Sequence, residues 1–249
     1  MGDYDFSGKV LVLTGASGGI GLATAEYFFQ CGASIAATYN TNLAITELAN
    51  TLDARAKRFF VMQVDVAESE SCLRFANECK ERFGNIDFLV NNAAVLRMAS
   101  VQNMTDALWR EVMGSNLDSV FYICRSFLPV INNGGSIVNI ASAAAHRGAV
   151  DHSAYAASKA AVLAFSRSLA REVATADITG NAISPGMIDT HMLDMLPNDV
   201  LQSLKDESPF NRLGKPTEIA EAIGFLCSER SSFVTAETLH VNGAGYIAS

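Results

Sequence analysis

The segment Val10-Leu-Val-Leu-Thr-Gly-Ala-Ser-Gly-Gly-Ile-Gly21 constrains this chain more than any other. Its apolar opening reads as a strand buried on both faces, and its glycines read as a turn into a helix starting near Leu22. In such a turn Gly15 permits the tight reversal and Gly19 lets a diphosphate approach the backbone. Gly21 lets helix and sheet pack closely, and the helix N-terminus faces the anion. The G-x-G-x-x-G reading fails, because Thr24 stands where Gly or Ala is wanted. The Walker pattern fails too, since no Gly-Lys-Ser/Thr follows. What is left is Thr-Gly-x-x-x-Gly-x-Gly, which by itself also suits a βα turn with no ligand.

The rest of the chain repeats the alternation of apolar runs and helical segments. Strands are expected near Lys9–Thr14, Ser34–Tyr39, Arg58–Gln63, Phe88–Asn91, Ser136–Ile140, Thr179–Ile183 and Glu237–Val241. Between them Leu22–Cys31, Ser69–Phe83, Leu108–Leu128, Tyr155–Ala176 and Pro216–Ser228 carry apolar residues at helical spacing. The pattern predicts an α/β fold, one doubly wound seven-stranded parallel sheet with helices on both faces. No Pro/Gly/Ser-rich linker or repeat divides the 249 residues, so residues 1–249 read as one Rossmann domain. The Ala-rich stretch Ala141–Ala164 reads as a tightly packed helix with its preceding loop.

A net charge of -8 argues against a general binder of nucleic acid or of anionic membranes, and a small-molecule partner is expected instead. Five scattered cysteines without a C-x-x-C pair support neither a disulfide framework nor a zinc knuckle. The acidic N-terminus lacks a signal-peptide pattern, and no 18-residue apolar stretch exists. The expectation is a soluble, cytoplasmic protein.

Several further segments accompany the glycine turn: Asp65-Val66 after the third strand, Asn91-Asn-Ala-Ala94 after the fourth, and Asn116 in the long helix. Ser142 follows the fifth strand, then come Tyr155-x-x-x-Lys159 and Pro185-Gly-Met-Ile-Asp-Thr190 after the sixth. With these residues in this order the chain resembles the short-chain dehydrogenase/reductase family, closest in look to its 3-oxoacyl-acyl-carrier-protein reductase branch. Ala94 replaces that family's glycine. The matches span Thr14 to Thr190, and the closing segment His240-Val-Asn-Gly243 extends the likeness over essentially the whole chain. The resemblance implies an NAD(P)-dependent oxidoreductase interconverting a ketone and a secondary alcohol. It implies a cofactor site formed by Gly15, Ser17, Gly19, Ile20, Gly21, Tyr39, Asn40, Asp65, Val66, Asn92 and Ala93. Tyr155, Lys159, Pro185, Gly186, Ile188 and Thr190 complete that site.

The chemistry of the catalytic group follows from residue type and spacing. Tyr155 and Lys159 lie four apart among strong helix formers, so one helix face presents both. Alone, such a pair is ordinary surface chemistry. A free Tyr has a pKa of about 10, and a nearby ammonium favours the phenolate, so Lys159 is expected to tune Tyr155 downward. Tyr155 then exchanges the proton of the alcohol oxygen, and Ser142 donates a hydrogen bond where charge develops on the carbonyl. Two roles come from the resemblance alone: Lys159 binds the nicotinamide ribose, and Asn116 supports a water through which protons pass.

The other expectations are narrower. His146, His152, His191 and His240 show no H-E-x-x-H spacing, so no metal site is expected. His146 and His152 fall in the family's substrate-facing loop. Residues 187–213, with Met187, Met192, Leu193, Met195 and Leu196, are expected to form a substrate lid. Tyr39 stands where an NAD enzyme wants an acidic residue, which favours NADP(H) over NAD(H). Gly18 and the neutral run Thr38–Asn42 keep that preference modest. The resemblance suggests a homotetramer built partly on the long helices. Acyl carrier protein is an unlikely partner, because Ile131-Asn-Asn133 and Thr175-Ala-Asp177 are neutral or acidic where carrier-docking relatives are basic. Two other functions fit the residues less well: a sugar or polyol dehydrogenase of the same family, and a dinucleotide-binding regulator without catalysis.

Overall fold

A computed structural model describes residues 4–53, 57–190, 198–206 and 208–247. The strands are β1 Val10–Leu13, β2 Ser34–Tyr39, β3 Phe59–Gln63, β4 Ile86–Asn91, β5 Ile131–Ile140, β6 Thr179–Pro185 and β7 Thr238–Val241. They form one parallel sheet in the order β3-β2-β1-β4-β5-β6-β7. The order reverses between β1 and β4. At such a switch point the loops leaving the carboxyl ends part to either side and open a crevice for a ligand.

The helices are α1 Gly19–Gln30, α2 Ala44–Leu52, α3 Ser69–Phe83, α4 Asp106–Met113, α5 Ser119–Phe127, α6 Ala144–Arg147, α7 Ser153–Val173, α8 Asn198–Asp206 and α9 Pro216–Leu226. They cover both faces of the sheet and leave two cores. On one face α1, α2 and α9 close over β1 with Phe28, Ile45 and Ile223, and Phe6, Phe28 and Phe88 meet ring to ring. On the other, α3, α5 and α7 bury Phe75, Phe127 and Val162. Each fully buried Phe contributes roughly 1.5–3 kcal/mol relative to exposure. Strands covered on both sides explain why β1 and the Phe88–Val90 centre of β4 are apolar and do not alternate.

Four differences from the sequence reading have local causes. First, α2 was not anticipated, although Ile45, Leu48, Ala49 and Leu52 recur at helical spacing and pack toward the first core. Second, β4 begins at Ile86, and β5 extends back to Ile131 through Asn-Asn-Gly-Gly, with an irregularity in register between Ile86 and Phe88. The buried carboxylate of Asp87 anchors that end, accepting from Val10 N, Lys9 Nζ and Asn132 Nδ2. Third, the expected continuous helix Leu108–Leu128 is broken by a π-helical turn at Gly114–Asp118, with Asn116 fully buried inside it. Fourth, the Ala-rich stretch contains a separate short helix, α6, before the long α7.

Candidate active site

The glycine turn is bound to the end of β4 by a compact set of hydrogen bonds. Thr14 Oγ1 accepts from the backbone N–H groups of Asn92 at 3.0 Å and Ala93 at 3.1 Å. Asn92 Nδ2 donates back to the carbonyls of Thr14 and Gly15, at 3.1 and 2.8 Å. The strand brought beside β1 thus fixes the turn, and the first Asn-Asn-Ala residues act as its clamp. Gly15 sits at φ +61°, where a Cβ would also lie 2.6 Å from Ala93 Cα. Both the backbone conformation and the close approach therefore demand glycine.

Gly19 and Gly21 are tight for other reasons. A Cβ on Gly19 would lie 2.7 Å from Thr190 Cγ2, so the segment after β6 closes directly over the start of α1. A Cβ on Gly21 would meet Gly15 O at 2.5 Å and Ala16 Cα at 2.7 Å. Its closest packing is thus against its own turn rather than against a neighbouring strand, a narrower role than the helix-to-sheet packing expected. The first turn of α1 has no side-chain cap and no acidic residue, leaving its N–H groups available to an anion. Ser17 Oγ donates to Asn42 O at 2.6 Å, holding the loop after β2 beside the turn.

A cavity of about 910 Å³ runs along the carboxyl ends of the strands. It is large enough for an extended ligand, since pockets for small molecules typically span about 300–1,000 Å³. Of the residues assigned from sequence, Gly15, Ser17, Gly19 and Ile20 form its floor, and Tyr39, Asn40, Asp65 and Val66 form one end. Asn92, Ala93, Pro185, Gly186, Ile188 and Thr190 flank the middle, and Ser142, Tyr155 and Lys159 stand at the other end. Two assigned residues do not line it: Gly21, packed inside the turn, and Asn116, whose neighbour Ser115 does.

Asn116 is used for positioning. Its Oδ1 accepts from Val95 N at 2.7 Å, and its Nδ2 donates to Val95 O at 3.0 Å and to Ser158 Oγ at 3.1 Å. Ser158 Oγ in turn donates to Tyr155 O at 2.8 Å. One amide therefore ties the loop after β4 to the Tyr155–Lys159 stretch of α7, leaving a single lone pair on Oδ1. Ser158 was missed from sequence; its place inside Tyr155-x-x-x-Lys159 was the available signal.

The electrostatics differ from expectation. Lys159 is buried, and its Nζ donates to Ile140 O at 2.7 Å, lying 6.0 Å from the centre of the Tyr155 ring. Burial brings the Lys159 ammonium down to about 8. Tyr155 is pushed above the ordinary phenol range by burial, with a hydrogen bond from Ser142 opposing the shift. Desolvation thus outweighs attraction to the ammonium at this distance, and the expected lowering of Tyr155 by Lys159 is not found. The physical consequence favours one direction: near neutrality Tyr155 keeps its proton and Lys159 its charge.

The histidines separate in space. His152 lines the cavity, its ring centre 6.5 Å from that of Tyr155. His146 does not line it; its ring stacks on Tyr246 at 4.6 Å and lies 4.8 Å from His240. Burial lowers the His146 pKa, and His240 adds to the effect. From the expected lid, Met187, Leu204, Ser208, Phe210 and Arg212 reach the cavity. His191, Met192, Leu193, Met195 and Leu196 lie outside the described residues. Arg212 pairs with Glu218 through two bonds of 2.6 and 2.9 Å, and Glu218 also accepts from Lys215 N. The guanidinium holds that carboxyl down at about 2 and fastens the segment to α9. Among the described residues no group of three or more His, Cys, Asp or Glu is placed to hold a metal. No helix among them is long and apolar enough to cross a membrane.

A family model described as enoyl-(acyl carrier protein) reductase matches residues 15–246. The 3-oxoacyl-acyl-carrier-protein reductases of Salmonella typhimurium and Escherichia coli are each 37% identical to the chain. The matches cover 97% and 98% of it and 99% of each relative. Nodulation protein G of Azospirillum brasilense is 35% identical over 95% of the chain and 98% of its own length. A crystal structure from Brucella melitensis, titled short-chain dehydrogenase/reductase SDR:glucose/ribitol dehydrogenase, superposes with a TM-score of 0.95. It is 40% identical and covers all of both chains.

Proposed function

This chain belongs to the short-chain dehydrogenase/reductase family, and from that membership we propose that it reduces 3-oxoacyl groups to 3-hydroxyacyl groups. It is an NAD(P)-dependent oxidoreductase acting on C=O and CH–OH groups. The observation that carries the proposal is the meeting of Ser142, Tyr155 and Lys159 at one end of a cavity floored by a glycine turn. The glycine cradle fits a dinucleotide: Gly15 and Gly19 leave room that a Cβ would fill, and the start of α1 faces the same space.

A bound nicotinamide dinucleotide supplies the hydride that adds to the carbonyl carbon. Tyr155, held neutral by burial, gives its proton to the carbonyl oxygen, so that the new C–H and O–H bonds together make the alcohol. Ser142 donates to the same oxygen as charge develops there. Lys159, anchored on Ile140 O, places a positive charge behind Tyr155 that stabilises the phenolate left after transfer. Asn116 and Ser158 hold that stretch of α7 in register with the loop after β4.

NADP(H) is proposed as the preferred cofactor, by a modest margin. Tyr39 presents no carboxylate to a 2′-phosphate, yet Asn40, Thr41 and Asn42 beside it bring no cation. The expected ratio of kcat/KM for NADPH over NADH lies between one and about ten, since only charge repulsion is absent. A preference for NADH greater than about tenfold contradicts the assignment.

The acyl group is proposed to arrive on a small thiol. The 3-oxoacyl-acyl-carrier-protein reductases take their name from a carrier-bound substrate, but this chain carries -8 and repels an acidic protein at long range. The same 3-oxoacyl group offered on a small thiol should be reduced at least as efficiently as on carrier protein. A strong carrier preference that fades with added salt would contradict this. Assembly as a homotetramer belongs to the same proposal, supported by Trp109 on α4 and Phe121 on α5, both exposed. A cytoplasmic location is supported by five buried cysteines, none of them in a disulfide.

A further inference from the structure

His152 immediately precedes α7, three residues before Tyr155, and forms part of the cavity wall. Its Nδ1 lies 2.5 Å from the carbonyl oxygen of Val150. A carbonyl oxygen only accepts, so Nδ1 carries a hydrogen, and the neutral imidazole keeps its lone pair on Nε2. No described residue bonds Nε2. The backbone on either side of the ring is also held in place. His152 N donates to Ala149 O, Ala156 N donates to His152 O, and Ala99 N donates to Asp151 O, clamping this loop to the one after β4. The wall of the same cavity includes the apolar Val95, Leu96 and Ala149.

We propose that His152 is a specificity-determining residue whose Nε2 accepts a hydrogen bond from a hydroxyl on the carbon flanking the reacting carbonyl. The preferred substrates are then 3-oxo compounds bearing a hydroxyl at C4, and more generally α-hydroxy ketones. This inference rests on Tyr155 marking the reacting end of the cavity. A group on the flanking carbon projects within a few ångströms of the carbonyl oxygen, and the His152 ring, in the wall of the same cavity with its centre 6.5 Å from that of Tyr155, is placed to meet it. A fixed acceptor in an apolar wall discriminates because a methyl group leaves it unpaired.

Two esters of equal heavy-atom count test it, ethyl 4-hydroxy-3-oxobutanoate and ethyl 3-oxopentanoate, assayed side by side at one pH. The wild-type protein should favour the hydroxy ester in kcat/KM by about tenfold or more. In His152→Leu that ratio should fall to about one, whereas His152→Gln, which retains an acceptor oxygen, should keep a preference of about threefold or more. Each ratio is internal to one variant, so a partly misfolded preparation does not alter it. A wild-type ratio near one, or an undiminished ratio in His152→Leu, overturns the assignment. If Tyr155→Phe abolishes both reductions while the wild-type ratio is one, only the role of His152 falls. If Tyr155→Phe reduces both esters at the wild-type rate, the reading of the catalytic end is at fault.

Discussion

Replacing Tyr155 by Phe should lower turnover by at least about 10²–10⁴-fold while leaving cofactor affinity close to that of the wild type. The substitution removes one hydroxyl and keeps the ring, so the wall of the cavity and the bond from Ser158 to the Tyr155 carbonyl are retained. What is lost is the proton that burial keeps on the phenol and the hydrogen bond it shares with Ser142. Steady-state kinetics on a good ketone substrate, with a parallel titration of cofactor binding, separates the two effects. Near-normal turnover in the variant would show that another group protonates the product.

The second large effect is expected at Gly15. Gly15→Ala places a side chain at φ +61°, in the left-handed region, with its Cβ 2.6 Å from the Ala93 backbone. The conformational part costs about 1–2 kcal/mol, and relieving the clash by moving β1 from β4 costs about 1–3 kcal/mol more. The melting temperature should therefore fall by roughly 5–15 °C for a domain of this size. Affinity for the dinucleotide should fall at least tenfold, about 1.4 kcal/mol, because Thr14, Asn92 and Ala93 move with the turn. Calorimetry and a fluorescence titration measure the two quantities. A variant with both values at the wild-type level would mean that the clamp between the two strands does not shape the cofactor end.

The parts of the fold that local pattern determines were legible in the chain. Val10–Leu13 and Phe88–Val90 are apolar because both faces are covered, and such runs can be read one residue at a time. Spacing likewise exposed Tyr155 and Lys159 as neighbours on one helix face. The features that escaped are those set by contacts distant in sequence. Nothing near Asn116 announces a π turn, since its bonds go to Val95 and Ser158, 21 and 42 residues away. The Asn-Asn-Gly-Gly run reads as a turn, yet residues 131–140 are one strand because Asp87 and Ile86 lie beside its start. The direction of the Tyr155 shift was misread for a similar reason. Spacing places an ammonium near the phenol, but only the packed site shows that Lys159 is bonded to Ile140 O and that burial dominates. The distinction between His146 and His152 also required the fold, because both lie in one loop and only one reaches the cavity.

The most direct measurement of the central claim follows a label from cofactor to product. The wild-type protein is supplied with NADPH deuterated at the transferable position and a 3-oxoacyl thioester of a small thiol. One deuterium is expected on the new carbinol carbon per cofactor oxidised, in the wild type and not at a comparable rate in Tyr155→Phe. Tight cofactor binding with no label transferred to this substrate or to any of a panel of ketones would contradict it, and would leave a dinucleotide-binding protein without the catalysis assigned to Ser142, Tyr155 and Lys159.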